Sequence, residues 1–337
     1  MPAGLGVYAQ DTGHMIATRD FAFDTLQLEQ DGRVLTVRFS HPPLNFMPFS
    51  FIRDLDRLTS AVDRDPSVGA VVITGGIRDR FLTHLEVAEL SSIQTALPFG
   101  APIWVMRLVA PILNWAPGFP GLATALERYG GALGKGIVLG YRWKRSTLRM
   151  NRSAAVYIAA INGPALDGGL EIALACDLRY ASDGAALRIS QSELLVGISP
   201  GGGGSQRIVR MLGTARAIEH MLEAVPLTAA EALARGLVHR VVPEAQLLSE
   251  AQATAARLAR RQPVSVRALK QAVYFGMDRS LPHALNFELG GCTAAGLTPG
   301  ARRAGKPYSE DLARLGDTPF LADPKPWVDG TRVDLVS

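Results

Sequence analysis

The middle of the chain contains an apolar run, a cluster of glycines and a second apolar run, in that order. Residues 154–163 read AAVYIAAING, a composition typical of a buried strand that ends at Gly163. The pair Gly168 and Gly169 then begins a run rich in alanine and leucine, which predicts a helix. Glycines at such a junction let backbone N–H groups approach an anion at the positive end of a helix. The pattern therefore predicts an α/β fold with an oxyanion or phosphate site, and a tight turn with close helix packing is the structural alternative.

Strands and helices are predicted on both sides of this segment. Residues 25–39 alternate polar and apolar side chains around Asp31 and Gly32, which predicts a β-hairpin. A helix at 48–63 and a buried strand at 69–75 follow. Further strands are predicted at 178–182 and 186–190, each followed by a loop and a helix. Further helices are predicted at 228–235, 244–261 and 263–277. The segment after Gly290 is rich in glycine, proline and charge, which predicts irregular structure or a docked tail.

Composition excludes several classes of protein. The chain has 337 residues, of which 47% are hydrophobic and 20% charged, which suits one large domain and not a disordered chain. Its two cysteines, Cys176 and Cys292, provide neither a disulfide framework nor a four-ligand metal site, so no metal ion is expected. Residues 1–20 lack the pattern of a secretory signal, so a cytoplasmic location is expected. Prolines and glycines interrupt the charge-free stretch 108–126, so no membrane span is predicted there.

The net charge of the chain is mildly positive. The formal value is +4 at pH 7. Such a surplus suits a phosphate-bearing ligand, an anionic membrane surface or weak binding to nucleic acid. It is equally typical of a solvated protein surface with no charged partner. Charge alone therefore leaves these alternatives open.

Two glutamates lie next to glycine-rich turns. Glu171 falls in the first turn of the helix that begins at Gly168, where an acid also stabilises the helix without any chemical role. Glu193 precedes an apolar stretch and the four glycines 201–204, which are costly unless the backbone must bend or be approached closely; a flexible loop is the alternative. Two acids beside separate glycine turns fit proton removal and proton delivery at a carbon next to a carbonyl group.

Five motifs occur in an order that resembles the enoyl-CoA hydratase/isomerase (crotonase) superfamily: 160–177, 193–207, 212–217, 227–232 and 236–243. The similarity is close over 154–275 and looser over 23–90. It implies an α/β, crotonase-like spiral of repeated ββα units with a C-terminal helical trimerisation region. It also implies an acyl-CoA thioester substrate, no separate cofactor, no DNA partner, and assembly as a homotrimer or hexamer.

The resemblance implies a role for each matching residue. Glu171 and Glu193 match the two catalytic glutamates, of which one activates water for attack at C3 of a 2-enoyl-CoA and the other delivers a proton to C2. The backbone N–H groups of Leu85 and Gly168 match an oxyanion hole, which stabilises the charge that builds on the thioester oxygen. Substrate contacts are expected from Asn45, Phe46, Met47, Asp167, Gly169 and Lys270. Two acids favour a hydratase; an isomerase, another acyl-CoA lyase or hydrolase, and a non-catalytic protein that binds acyl-CoA or RNA are the alternatives.

Two residues depart from the family pattern. His84 places a bulky imidazole where a glycine usually allows the thioester to approach closely. It either points out of the pocket or acts as an extra acid/base group or oxyanion donor. Asp167 occupies a frequent glycine position next to Gly168, where its charge would oppose an oxyanion unless the side chain turns away as a helix cap.

The spacing from Leu85 to Gly168 is 83 residues, longer than the resemblance to the family implies, so an insertion is expected at about 91–150. The insertion lies within a core domain at 22–245, and a C-terminal helical region with an irregular tail is expected at 246–337. The insertion is apolar at first and basic from Tyr141 to Arg145. It is interpreted as an extra helical pair on the core, as a lid over a long or polycyclic acyl chain, or as a contact patch for a membrane or partner protein.

Overall fold

A central sheet of six strands organises the computed structural model, which describes residues 17–96 and 100–336. The first two strands form the predicted antiparallel hairpin, and every later neighbour in this sheet is parallel. In sheet order the strands are β1 (Leu26–Asp31), β2 (Val34–Phe39), β3 (Ala70–Gly75), β4 (Val156–Ile161), β6 (Leu178–Ser182) and β8 (Arg240–Val242). A separate parallel pair contains β5 (Ala165–Leu166) and β7 (Ile189–Ser190).

Helices pack on both faces of the central sheet and form the whole C-terminal part. Their bounds are α1 (Phe49–Val62), α2 (Val87–Gln94), α3 (Ile103–Trp115), α4 (Leu122–Tyr129), α5 (Gly131–Arg152), α6 (Gly168–Ala175), α7 (Gly204–Leu212), α8 (Thr214–Glu223), α9 (Ala229–Arg235), α10 (Leu247–Leu258), α11 (Pro263–Gly276), α12 (Leu281–Gly296), α13 (Pro299–Leu315), α14 (Pro319–Ala322) and α15 (Lys325–Val328). Within residues 17–96 and 100–336, every helix is too short or too polar to cross a bilayer.

Alternate residues of the central strands enter two separate hydrophobic clusters. Leu35 and Val71 lie in the cluster that includes the apolar side chains of α1 and α6. Val34 and Val72 lie in the cluster that includes those of α10. Because successive side chains of a strand point to opposite faces, strands buried on both faces are apolar throughout. The predicted α/β class is confirmed. We expected a helix between β6 and β7, but the two strands are joined without one.

The stretch predicted to be an insertion, 91–150, is mainly helical, and its last helix is part of the core. Helix α5 lies against α1, and Trp143 and Met150 of α5 are buried. Arg145 and Arg149 of α5 both pair with the buried Asp56 of α1. In contrast, α2, α3 and α4 contain no buried residue among those that the structure describes. The insertion therefore has one integrated helix and an outer part.

After Gly290, where irregular structure or a docked tail was predicted, the chain is mainly helical up to Val328 and is docked. Helix α12 continues through Gly296, and α13 extends over seventeen residues to Leu315. Thr298 caps α13 by accepting a hydrogen bond from Ala301 N, and Pro299 occupies the first turn, where its missing N–H needs no partner. The buried Asp311 of α13 accepts hydrogen bonds from Trp327 Nε1 at 3.1 Å and Arg332 Nε at 2.8 Å. These contacts fasten the remaining chain to α13 as a docked segment.

Candidate active site

Glu171 lies in the first turn of α6 and is 3% exposed. Its carboxylate accepts hydrogen bonds from the backbone of the glycine-rich loop: from Gly202 N at 2.9 and 3.0 Å and from Gly204 N at 2.8 Å. Burial raises the pKa of Glu171 to about 7, although these amides and the guanidinium of Arg207 favour the charged form. The glycines predicted to allow close backbone approach therefore do so toward this carboxylate.

Glu193 begins the short 3-10 turn Glu193–Val196 and is 7% exposed. Its Oε1 accepts a hydrogen bond from Gln191 Nε2 at 2.7 Å. Its Oε2 is buried and has no hydrogen-bond partner among the residues described here. Burial raises the pKa of Glu193 to about 8, and the charges of Asp167 and Glu171 add to the rise. Two buried glutamates that influence each other thus lie in one place, as a general acid and base require.

Gly168 and Leu85 each present a backbone N–H that the secondary structure leaves free. Gly168 is the first residue of α6, so its N–H has no acceptor within the helix. Leu85 forms a parallel bridge with Met47, in which Met47 N donates to His84 O and Glu86 N donates to Met47 O. The N–H of Leu85 therefore points away from Met47.

Met47 lies beside both residues that carry these amides, Leu85 and Gly168. Its backbone pairs with Leu85, and a Cβ added to Gly168 would lie only 2.9 Å from the terminal methyl group of Met47. The same Cβ would lie 2.8 Å from the indole of Trp143. The structure thus places Met47 beside the predicted oxyanion hole. Gly168 is needed there because both side chains approach its backbone closely.

Trp143 is a site residue that the sequence did not identify. It lies on α5 of the insertion, where its indole covers Gly168 and its Nε1 donates a hydrogen bond to Gly202 O at 3.0 Å. Arg207 Nη1 donates to the same carbonyl at 3.1 Å. The only available signal was the basic stretch around Tyr141, which we interpreted as part of a helical pair on the core, of a lid or of a contact patch. No local pattern indicates a contact between residues so far apart in the chain.

His84 and Phe46, which each precede one residue of the bridge between Leu85 and Met47, stack on each other. Their ring centroids are 4.2 Å apart, and His84 Nδ1 lies 2.7 Å from Leu85 O. Both side chains are partly exposed. The imidazole is thus held by its own loop.

Asp167 does not cap α6, contrary to our expectation. It occupies the position before the helix with φ of 49°, but makes no side-chain capping hydrogen bond. Its Oδ1 instead accepts hydrogen bonds from Ser192 N and from Ser192 Oγ, the latter at 2.8 Å. Asp167 therefore fixes the residue that precedes Glu193.

Three residues predicted to contact substrate make close contacts within the protein. Asn45 is fully buried, accepts a hydrogen bond from His41 N at 2.7 Å and donates to Phe81 O at 2.5 Å. Lys270 donates from Nζ to Asp177 Oδ2 and to the carbonyl of Ala155, both at 2.7 Å. Gly169 lies against the backbone of Leu82, since an added Cβ would be 1.9 Å from that carbonyl oxygen. The bonding groups of Asn45 and Lys270 are therefore occupied within the protein.

Known proteins are similar to this chain in sequence and in fold. A short-chain-enoyl-CoA hydratase from Clostridium acetobutylicum is 30% identical over 262 residues, which cover 77% of this chain and 85% of the relative. An enoyl-CoA hydratase structure from Bacillus anthracis matches with a TM-score of 0.65 at 21% identity, over 88% of this chain and 99% of that one. A structure from Thermobifida fusca in complex with CoA matches with a TM-score of 0.61 at 26% identity, over 80% and 92%.

The sequence profile described as enoyl-CoA hydratase/isomerase matches residues 128–302, which is more than half of the chain. That range contains α5 with Trp143, the junction at Gly168 and both glutamates. The motifs, the sheet topology and the relatives agree with one another. This chain belongs to the enoyl-CoA hydratase/isomerase family of the crotonase superfamily.

Proposed function

We propose that this protein adds water across the C2=C3 double bond of a 2-enoyl-CoA thioester. The observation that carries the proposal is the buried pair of Glu171 and Glu193, both with raised pKa values, next to the free N–H at the start of α6. Near neutral pH such a pair holds a proton on one member while the other is charged, so an acid and a base are available together. The relative from Clostridium acetobutylicum is named as a short-chain hydratase.

The surroundings of the two carboxyl groups suggest how the roles divide. The backbone N–H groups of Gly202 and Gly204 favour the charged form of Glu171, which suits a base that takes a proton from water. Glu193 has the higher pKa and a free Oε2, which suits delivery of its proton to C2. The hydroxyl group of water bonds to C3 as the C=C π bond breaks. Proton transfer between the two glutamates then restores the starting state.

The amides of Gly168 and Leu85 serve the charge that develops between these steps. Attack at C3 shifts negative charge to the thioester oxygen before C2 is protonated. Two fixed N–H donors stabilise that oxyanion more than the neutral thioester, and loss of one such donor costs about 100-fold in rate or more. Phe46 and Met47, which flank Leu85, are proposed to line the substrate path. The acyl-CoA thioester itself is part of this proposal.

The test is loss of enoyl-thioester absorbance with short, medium and long 2-enoyl-CoA substrates. We expect Glu193→Gln and Glu171→Gln each to lower kcat by about 100-fold to 10,000-fold, the usual contribution of a general acid or base. Glu219→Gln makes the same chemical change at an exposed position on α8 and is expected to retain full activity. Full activity in both catalytic variants would contradict the proposal.

One observation favours a second candidate, isomerisation of a 3-enoyl-CoA to a 2-enoyl-CoA. Both oxygens of Glu171 already accept backbone hydrogen bonds, whereas Oε2 of Glu193 is free. A single carboxyl group is sufficient to move a proton between C2 and C4. If 3-enoyl-CoA is converted, and Glu171→Gln retains that activity while Glu193→Gln loses it, the isomerase reaction replaces the hydratase reaction.

We also propose assembly as a homotrimer or hexamer through the C-terminal helices. Exposed apolar side chains on α11 and α12 support it, namely Leu269, Val273, Leu285 and Leu289. Light scattering of the purified full chain measures the mass directly. A monomeric mass would contradict this assembly.

A further inference from the structure

Helix α3 turns an apolar face toward solvent. Trp104 and Trp115 are 64% and 66% exposed, and they lie near opposite ends of this helix. Two other strongly exposed apolar side chains share the face, namely Leu108 and Ile112. The less exposed residues Val109 and Leu113 lie away from this face, and α3 contacts α5. Exposed apolar area on this scale, concentrated on one helix, is typical of an interaction surface.

The charges around this face have one sign. Glu127 is the single acidic residue of the sequence between positions 90 and 155, whereas that stretch contains eight lysines and arginines. Glu127 itself pairs with Arg142, and Asp56 of α1 pairs with Arg145 and Arg149. Arg107, Arg128, Lys135 and Lys144 are exposed and have no ion pair among the residues described. Arg107 thus lies on the apolar helix itself, and the other three cations lie on α4 and α5, the helices that follow it in the chain.

Two other helices with exposed apolar side chains, α8 and α12, have a different charge pattern. On α8, Ile218 and Leu222 alternate with Glu219 and Glu223, and on α12 Glu288 adjoins Leu289. Acidic residues in such positions disfavour contact with an anionic surface. A second copy of the chain is a poor occupant for α3, since pairing of two such faces would bring like charges together.

We propose that the outer face of α3 binds the surface of an anionic lipid bilayer. The helix would lie in the plane of the interface, with its apolar side chains among the acyl chains and its cations near the lipid phosphates. Tryptophan suits this position because its ring is apolar and its N–H remains at the level of the headgroups. This attachment is independent of the reaction proposed above, since neither glutamate takes part in it.

The test is sedimentation of the full chain with vesicles of two compositions. We expect binding to phosphatidylcholine vesicles that contain phosphatidylglycerol, and much weaker binding to phosphatidylcholine alone. Trp104→Ser/Trp115→Ser removes two large apolar contacts and is expected to weaken binding by about tenfold or more. Leu297→Ser/Leu321→Ser changes two equally exposed apolar residues outside the insertion and is expected to bind as the original chain does.

Tryptophan fluorescence provides an independent readout. Lipids brominated on their acyl chains should quench Trp104 and Trp115, and this quenching should disappear in the double tryptophan variant. Trp143 is buried, so it should not contribute. Equal binding to both vesicle compositions would overturn the anionic preference. No sedimentation with either composition would overturn the proposal. A tryptophan variant that changes the oligomeric mass and not the lipid binding would show that the face contacts protein, and would also overturn it.

Discussion

The indole Nε1 of Trp143 donates a hydrogen bond to the carbonyl oxygen of Gly202 at 3.0 Å. The N–H of the same glycine donates to the carboxylate of Glu171. A residue of the insertion therefore holds the loop that in turn holds a proposed catalytic group. Trp143 acts in this arrangement as a positioning residue, because it reaches Glu171 only through Gly202.

Trp143→Phe should lower kcat by about fivefold with little change in KM. The phenyl ring retains most of the packing, while the lost hydrogen bond is worth about 1 kcal/mol. A looser Gly202 amide stabilises the charged form of Glu171 less well, so the acidic limb of the pH–rate profile should move to higher pH. Trp327→Phe removes a comparable N–H bond, to Asp311, and should leave both kcat and the pH profile unchanged. A uniform loss of activity at every pH would contradict the positioning role.

Glu193→Gln should stabilise the fold at high pH. Burial raises the pKa of Glu193 to about 8 from an ordinary value of 4.5. The folded chain therefore keeps a proton that the unfolded chain releases above about pH 4.5, so this group lowers the free energy of unfolding as pH rises from about 5 to 8. Glutamine has no proton to lose, and Tm at about pH 9 should exceed that of the original chain by about 2 °C or more. Thermal unfolding near pH 5 should show a much smaller difference; an equal difference at both pH values would refute the assignment.

Gly169→Ala should destabilise the fold by about 1–3 kcal/mol, because the new methyl group collides with backbone that cannot move freely. The colliding atom is the carbonyl oxygen of Leu82, 1.9 Å from the position of the added Cβ. At Gly201 an added Cβ meets nothing within 4 Å, so Gly201→Ala is the matched control and should unfold at nearly the same urea concentration as the original chain. Equal unfolding midpoints for the two variants would contradict this packing role.

Lys270→Met should cost about 3–5 kcal/mol of stability and leave KM for the acyl-CoA unchanged. The side chain of Lys270 is buried in an ion pair with Asp177, and loss of one partner leaves the other charge unpaired. Lys306→Met alters an exposed lysine and should have almost no effect on stability. A large rise in KM without loss of stability would instead restore the substrate contact predicted from the sequence.

Much of the core was predictable because its signals are local. The hairpin around Gly32, the buried strand that ends at Gly163 and the helix that begins at Gly168 all follow from short patterns of apolar residues and glycines. Glu171 and Glu193 stood out because each lies beside a glycine-rich turn. The structure buries both carboxyl groups, although their catalytic roles remain a prediction.

The contacts that the sequence did not reveal involve side chains whose partners lie far away in the chain. Lys270 was placed near substrate by resemblance, but position in a motif does not reveal that Asp177 binds its ammonium group. Asp167 bonds to Ser192, across the turn, and not to the helix that it precedes. The helices after Gly290 were not predicted, because glycine and proline content does not reveal that Asp311 accepts hydrogen bonds from Trp327 and Arg332.

Trp143 lies near the end of the insertion, on the helix that packs against α1, whereas α3 and α4 have no buried residue within the described chain. The insertion is thus divisible at the start of α5. Removal of residues 98–133 would take away the outward apolar face and leave the bond between Trp143 and Gly202 untouched. A shortened enzyme made in this way should lose its affinity for lipid and retain its turnover, which would separate where the protein resides from what it catalyses.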